Sequence, residues 1–167
     1  MDIEVRRIGS EGELSNSVNV LRNSFATVAA KYNLTRENTP SNAAFIEYDD
    51  LLKPYAKGIG LFGVYKDKIQ IGFFSIEKNE GGLYYLGKLA VVPDLRHNGY
   101  GQQILEFVFN EVKQAGGGII SIGIINANLV LKNWYIKFGF TPTAIKNYPH
   151  LPFAVCMMEK VIKINDF

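Results

Sequence analysis

Lys88-Leu89-Ala90-Val91-Val92-Pro93-Asp94-Leu95-Arg96-His97-Asn98-Gly99-Tyr100-Gly101-Gln102-Gln103-Ile104-Leu105 is the stretch from which the rest of the chain is read. An apolar run ends at a proline, a short polar turn carries two glycines, and Ile104, Phe107, Val108, Val112 and Ala115 then recur at helical spacing. A strand-to-helix junction of this kind leaves several backbone N–H groups without intrahelical partners, gathered at the positive end of the helix dipole. Such a place suits a phosphate. Gly99 and Gly101 lack Cβ, so the main chain there can take unusual dihedrals and admit a bulky anion. Arg96 adds a charge that can fork onto phosphate oxygens. The plain alternative is a turn whose glycines serve only the bend, and Gly-x-Gly alone is too short to exclude it.

Working outward, Leu83–Val91 reads as the last of three consecutive strands. Ile59–Tyr65 and Ile69–Ile76 are rich in β-formers and are joined by Lys66-Asp67-Lys68, the pattern of an antiparallel hairpin. A polar turn, Glu77–Gly82, connects them to the strand that carries the loop. Upstream, residues 2–8 suggest a first strand, and Ser10 with Glu13 has capping-box spacing ahead of a helix from about Glu11 to Tyr32. Leu14, Val18, Leu21, Phe25 and Val28 lie on its apolar face. A second short helix is expected over Ala43–Tyr55, with Glu47, Asp49 and Asp50 as a solvated face or as an acidic rim for a cationic amine.

Downstream, a helix from about Gly99 to Ala115 stops at Gly116-Gly117-Gly118, and Ile119–Ile125 is a continuous apolar run suited to a strand buried on both faces. Strand, helix and strand in that order imply parallel neighbours. A further helix over Leu129–Phe138 closes at Gly139, where glycine accepts the left-handed cap. Strands over Phe140–Ile145 and Phe153–Val161 end the chain, joined by the aromatic and proline-rich loop Lys146–Pro152, a candidate substrate wall.

At two places these residues resemble the GCN5-related N-acetyltransferase (GNAT) superfamily. Leu89-Ala90-Val91-Val92-Pro93 followed by Arg96-x-x-Gly99-x-Gly101 looks like that family's strand, pyrophosphate loop and helix. Asn128, Tyr135 seven residues on, and Gly139-Phe140 match a second pattern, while Met157-Met158-Glu159-Lys160 looks like the usual closing strand. The likeness covers Ile59–Lys160; residues 1–57 fit by position only. It implies an α/β (α+β) fold over 1–167 as one acetyltransferase domain, with a mixed, mostly antiparallel sheet of about six to seven strands, splayed between its two middle strands and flanked by about four helices.

The resemblance also implies a reaction: transfer of an acetyl group from acetyl-CoA, as co-substrate, to a primary amine of a small molecule or peptide. It places the cofactor against Leu89, Val91, Val92, Arg96, His97, Asn98, Gly99, Tyr100, Gly101, Gln102, Asn128 and Tyr135. The backbone of Val91 and Val92 would contact the acetyl oxygen, and Tyr135 would give a proton to the departing thiolate. Leu131 stands where the family usually has alanine. The base is the least marked part, because relatives often carry a glutamate where this chain has Leu83, Tyr84 and Tyr85. Glu77 is the candidate taken forward, with Glu80, His97 and His150 behind it. A non-catalytic acyl-CoA sensor is the competing function, and relatives allow a homodimer.

Composition bounds the rest. The chain has 167 residues, 47% apolar and 20% charged, which is globular rather than disordered. A net charge of +2 spread along the chain argues against a nucleic-acid partner. No apolar run approaches the ~20 residues that span a bilayer, and a cytoplasmic location is expected. Cys156 lies alone in an apolar run, and neither His97 nor His150 has metal-ligand spacing, so no metal is expected.

Overall fold

Gly60–Lys66 (β2) and Ile69–Lys78 (β3) form the expected hairpin, turning on Asp67 and Lys68. Both turn residues have positive φ, 51° and 68°, which a two-residue hairpin loop demands. The computed structural model describes residues 2–163, and within them Glu4–Arg7 (β1), Leu83–Val91 (β4), Ile119–Ile125 (β5), Thr141–Asn147 (β6) and Ala154–Val161 (β7) complete one seven-stranded sheet. Its order is β1-β2-β3-β4-β5-β7-β6, antiparallel except between β4 and β5.

The helices are Leu14–Lys31 (α1), Tyr48–Ala56 (α2), Tyr100–Gln114 (α3) and Leu129–Lys137 (α4). Alternation along β2 and β3 explains the layers. Leu61 and Phe73 pack with Leu14, Val18 and Leu21 of α1 and Leu51 of α2, whereas Phe62, Val64 and Phe74 pack with Ile104, Leu105, Val108 and Val112 of α3. A strand covered on both faces reads as an unbroken apolar run, which is why these segments lack polar alternation.

Two helix boundaries differ from expectation, each for a capping reason. Residues 11–13 form a 3-10 turn before α1, with the Glu13 carboxylate receiving the N–H groups of Gly9 (3.0 Å) and Ser10 (3.3 Å). The expected helix over 43–55 is a 3-10 turn at Ala43–Phe45 and then α2, because Glu47 breaks out into extended backbone to cap the new helix. Asp50 accepts the Glu47 N–H at 2.8 Å, and the Glu47 carboxylate pairs with Arg22 at 2.9 Å and Arg36 at 3.2 Å. Glu47 and Asp50 therefore cap and tie, while Asp49 is exposed on the helix face.

Splaying of the sheet sets the position of the site. β4 follows β3 from Lys78↔Tyr84 to Gly72↔Val91, but meets β5 only at Leu83↔Ile119, Tyr84↔Ile120 and Tyr85↔Ser121. Between Phe73↔Ala90 and Ser75↔Gly87 the register shifts, so Lys88 and Leu89 together oppose Phe74. Lys88 takes φ +50°. A bulge of this kind bends its strand, and past Tyr85 the two central strands part. No helix among the described residues is long and apolar enough to cross a membrane.

Candidate active site

The loop after β4 is a nest of backbone donors. Pro93–Leu95 makes one 3-10 turn, then His97 (φ +64°) and Gly99 (φ +82°) bend the chain to the left-handed side before α3 begins. Six consecutive N–H groups, from His97 to Gln102, find no hydrogen-bond partner among the described residues; the ladder of α3 resumes with Gln103 N–H to the Gly99 carbonyl at 3.2 Å. Convergent amides at a helix N-terminus form an anion cradle.

The side chains of the loop serve other ends. Asn98 donates from Nδ2 to the carbonyls of Leu95 (3.0 Å) and Arg96 (3.1 Å), which fixes the bend. The buried Tyr100 phenol accepts from Lys66 Nζ at 2.7 Å and donates to Asp2 at 3.1 Å. Gln102 reaches Glu106 of its own helix at 3.2 Å. Gly101 is needed for close packing: a Cβ there would meet Trp134 of α4 at 2.9 Å. Arg96, expected as a phosphate fork, instead donates to the Val91 carbonyl (3.2 Å), Thr27 Oγ1 (3.0 Å) and the Ser24 carbonyl (2.6 Å), so its guanidinium binds the loop to α1.

Register decides which amides of β4 look into the splay. Val92 N–H donates to the Ile71 carbonyl at 2.9 Å and therefore faces β3. The sequence expectation for Val92 as an oxyanion donor is corrected by this bond. In antiparallel pairing the neighbouring residue points the other way, so Val91 turns its N–H toward β5, and its carbonyl is the one that Arg96 holds. Leu89 lies two residues back along the same edge.

The splay opens into a cleft of about 480 Å³. Leu86–Leu89 form one wall, Ile122–Ile125 the other, and α4 contributes Leu131 and Tyr135. Asn128 caps α4, accepting the Leu131 N–H on its side-chain oxygen at 3.2 Å. The Tyr135 ring is 5% exposed and wedged edge-on against Trp134 and Phe140, while its hydroxyl has no hydrogen-bond partner among the described residues. Burial, with Tyr85 adding, pushes this phenol far above its ordinary range, so it stays protonated.

The rest of the cleft comes from loops. Thr39, Ser41 and Asn42 approach from the α1–α2 connection, and Tyr148, Leu151 and Phe153 from the β6–β7 connection that the sequence marked as a wall. His150 lies tilted against Tyr148, at 5.6 Å between ring centroids, without lining the cleft. Glu77 is exposed and lines a separate hollow of about 450 Å³ with Arg7, Lys57 and Tyr84. Sequence reasoning assigned no role to Tyr85 or Lys88, which both line the cleft. Burial, with Tyr148 and Glu77 adding, raises the Tyr85 phenol, which lies against the Gly123 backbone across the splay. The signal available for Lys88 was a lone charge between Leu86 and Val92.

Comparison with known proteins agrees with this geometry. Residues 57–142 match a family model described as an acetyltransferase (GNAT) domain. Among solved structures, the chain is similar to the ribosomal-protein-S18-alanine N-acetyltransferase from Escherichia coli, with a TM-score of 0.77 at 13% identity, over 98% of this chain and 96% of that one. It is also similar to PaiA N-acetyltransferase from Thermoplasma acidophilum in complex with coenzyme A, with a TM-score of 0.73 at 21% identity over 96% and 99%. A spermidine N-acetyltransferase chimera of Vibrio cholerae SpeG and hSSAT gives 0.73 at 16% over 96% of each chain. No curated protein matches in sequence.

Proposed function

The chain belongs to the GNAT acetyltransferase family, an acetyl-CoA-dependent N-acetyltransferase, and from that premise we propose how its residues divide the work. Acetyl-CoA supplies an acetyl group activated as a thioester. The observation that carries the assignment is the run of six N–H groups at 97–102 without a partner among the described residues, which fits a pyrophosphate and follows directly on the strand that carries Val91.

Leu89 and Val91 offer free strand edge to the pantetheine arm, and the Val91 N–H stabilises negative charge as it grows on the acetyl oxygen. The acceptor nitrogen, as a neutral amine, forms the C–N bond while the C–S bond breaks. Tyr135, which burial keeps protonated and makes a weaker acid than a free phenol, gives its proton to the sulfur as negative charge grows there. Asn128 fixes the start of α4, and so the height at which Tyr135 stands. The cleft lining holds no carboxylate among the described residues, so the acceptor's excess proton passes to water, with Glu77, paired with Tyr85 across β3 and β4, the carboxylate that could take it up from there. Holding amine and thioester in one cleft removes much of the entropic barrier.

This reading takes 1–167 as one domain acting in the cytoplasm on the amine of a small molecule or peptide, and it admits a homodimer. Calorimetry with acetyl-CoA followed by an amine-library screen for released thiol tests it. Binding of acetyl-CoA with thiol release is expected; binding with no release on any amine would mark a sensor instead.

A further inference from the structure

Among the described residues that line the cleft Lys88 is the only charged one; it is solvent-exposed, and its ammonium makes no ion pair or hydrogen bond among the described residues. It sits on the β4 bulge in a left-handed conformation that a non-glycine residue adopts at a cost of about 1–3 kcal/mol. The bulge re-aims this side chain relative to the regular alternation of β4. Around it, Tyr85, Ser41, Asn42 and Tyr148 bring neutral polar groups, and Leu151, Phe153, Val155 and Met157 make an apolar wall.

From this juxtaposition we propose that the acceptor is a compact amine carrying a carboxylate on an apolar frame, an amino acid with an aliphatic or aromatic side chain, and that Lys88 receives the carboxylate. The proposal rests on the acetyltransferase reading and narrows its substrate.

An unpaired ammonium at the solvent-open side of a largely apolar cleft offers an incoming anion its one charged partner there, and a charge-assisted bond is about twice as strong as a neutral one. Crowding by the cleft walls already lowers the Lys88 pKa, with Asp50 and Glu77 opposing from beyond ion-pair distance. A polyamine would bring further cations against Lys88 with no carboxylate in the lining to receive them. The amine itself needs no fixed partner of opposite charge, because it reacts as the free base. The apolar wall accounts for selection of the side chain.

The test compares matched acceptors with acetyl-CoA: leucine, methionine and phenylalanine against their amides, and spermidine, each read by thiol release and by calorimetry on the CoA-loaded enzyme. Acids are expected to exceed amides in kcat/KM by about tenfold or more. Lys88→Met should bring the two to parity, with Lys88→Arg keeping the preference for acids. Amides or spermidine equal to the acids in the parent enzyme, or a preference that survives Lys88→Met, would overturn the proposal. So would acids that neither bind nor turn over while acetyl-CoA binds normally, an outcome that leaves the acetyltransferase reading intact. Failure to bind acetyl-CoA would overturn both.

Discussion

Arg96 donates from Nη2 to the Ser24 carbonyl at 2.6 Å, joining the anion-binding loop to a helix 72 residues earlier in the chain. The same guanidinium holds the Val91 carbonyl and the Thr27 hydroxyl. Arg96→Ala should therefore cost about 1–3 kcal/mol in urea unfolding, the range for bonds to a charged donor. CoA affinity should fall only as far as the loop loosens. A marked loss of affinity with unchanged stability would place the guanidinium on phosphate instead.

Tyr135→Phe removes a hydroxyl that has no hydrogen-bond partner among the described residues, so the thermal midpoint should hold or rise while kcat drops about 10²-fold. The calorimetric affinity for CoA should stay the same. Because burial raises this phenol, its proton is retained across the assay range: kcat/KM should climb with pH as the acceptor amine deprotonates, and show no descending limb below about pH 10. A descending limb near neutral pH would assign the leaving-group proton elsewhere.

Gly101→Ala puts a methyl 2.9 Å from Trp134, between the helix that follows the anion loop and the helix that carries Tyr135. Overpacking of this kind costs about 1–3 kcal/mol, and the shift of α3 should weaken CoA binding together with stability. Gly99→Ala meets no neighbour but must hold φ +82°, so it should cost about 1–2 kcal/mol through backbone strain alone. Paired melts and CoA titrations distinguish the two mechanisms.

Glu13 links β1 to α1. Its burial works against ionisation, but the N–H groups of Gly9 and Ser10 and the guanidinium of Arg6 outweigh this and hold its pKa below the usual value. A depressed carboxylate stabilises the fold above its unfolded pKa of about 4.3 and loses that contribution as pH falls through the folded value. Glu13→Gln should lower stability at pH 7 by about 1 kcal/mol, with the gap closing in acid. Parallel melting curves at pH 7 and pH 3 check it.

Features that depend on neighbours in sequence are legible in the chain itself. The β2–β3 hairpin, the glycine at 99, the Ser10–Glu13 box and the Gly139 cap follow from local dihedral and capping needs, whereas Gly101 is required by Trp134 of another helix. The partners of Arg96 on α1 are not legible in the sequence, because no local pattern announces a bond across that distance. Val92 was misassigned for a related reason: a bulge at Lys88 resets the alternation of β4, and parity along a strand cannot be counted through a bulge whose position is unknown. The start of α2 was missed because Glu47, an ordinary helix former by composition, was recruited as a cap. Tyr85 and Lys88 drew no role because their importance arises only where two strands separate.

The slowest-exchanging amides of a small protein ordinarily sit in the middle strands of its sheet. Here Val91, in the fourth of seven strands, holds an N–H that neither flanking strand protects. Its hydrogen should trade with solvent as readily as one in a loop, and a thioester lying against it should slow that trade sharply. The centre of the sheet is thus where occupancy of the enzyme can be timed, one amide at a time.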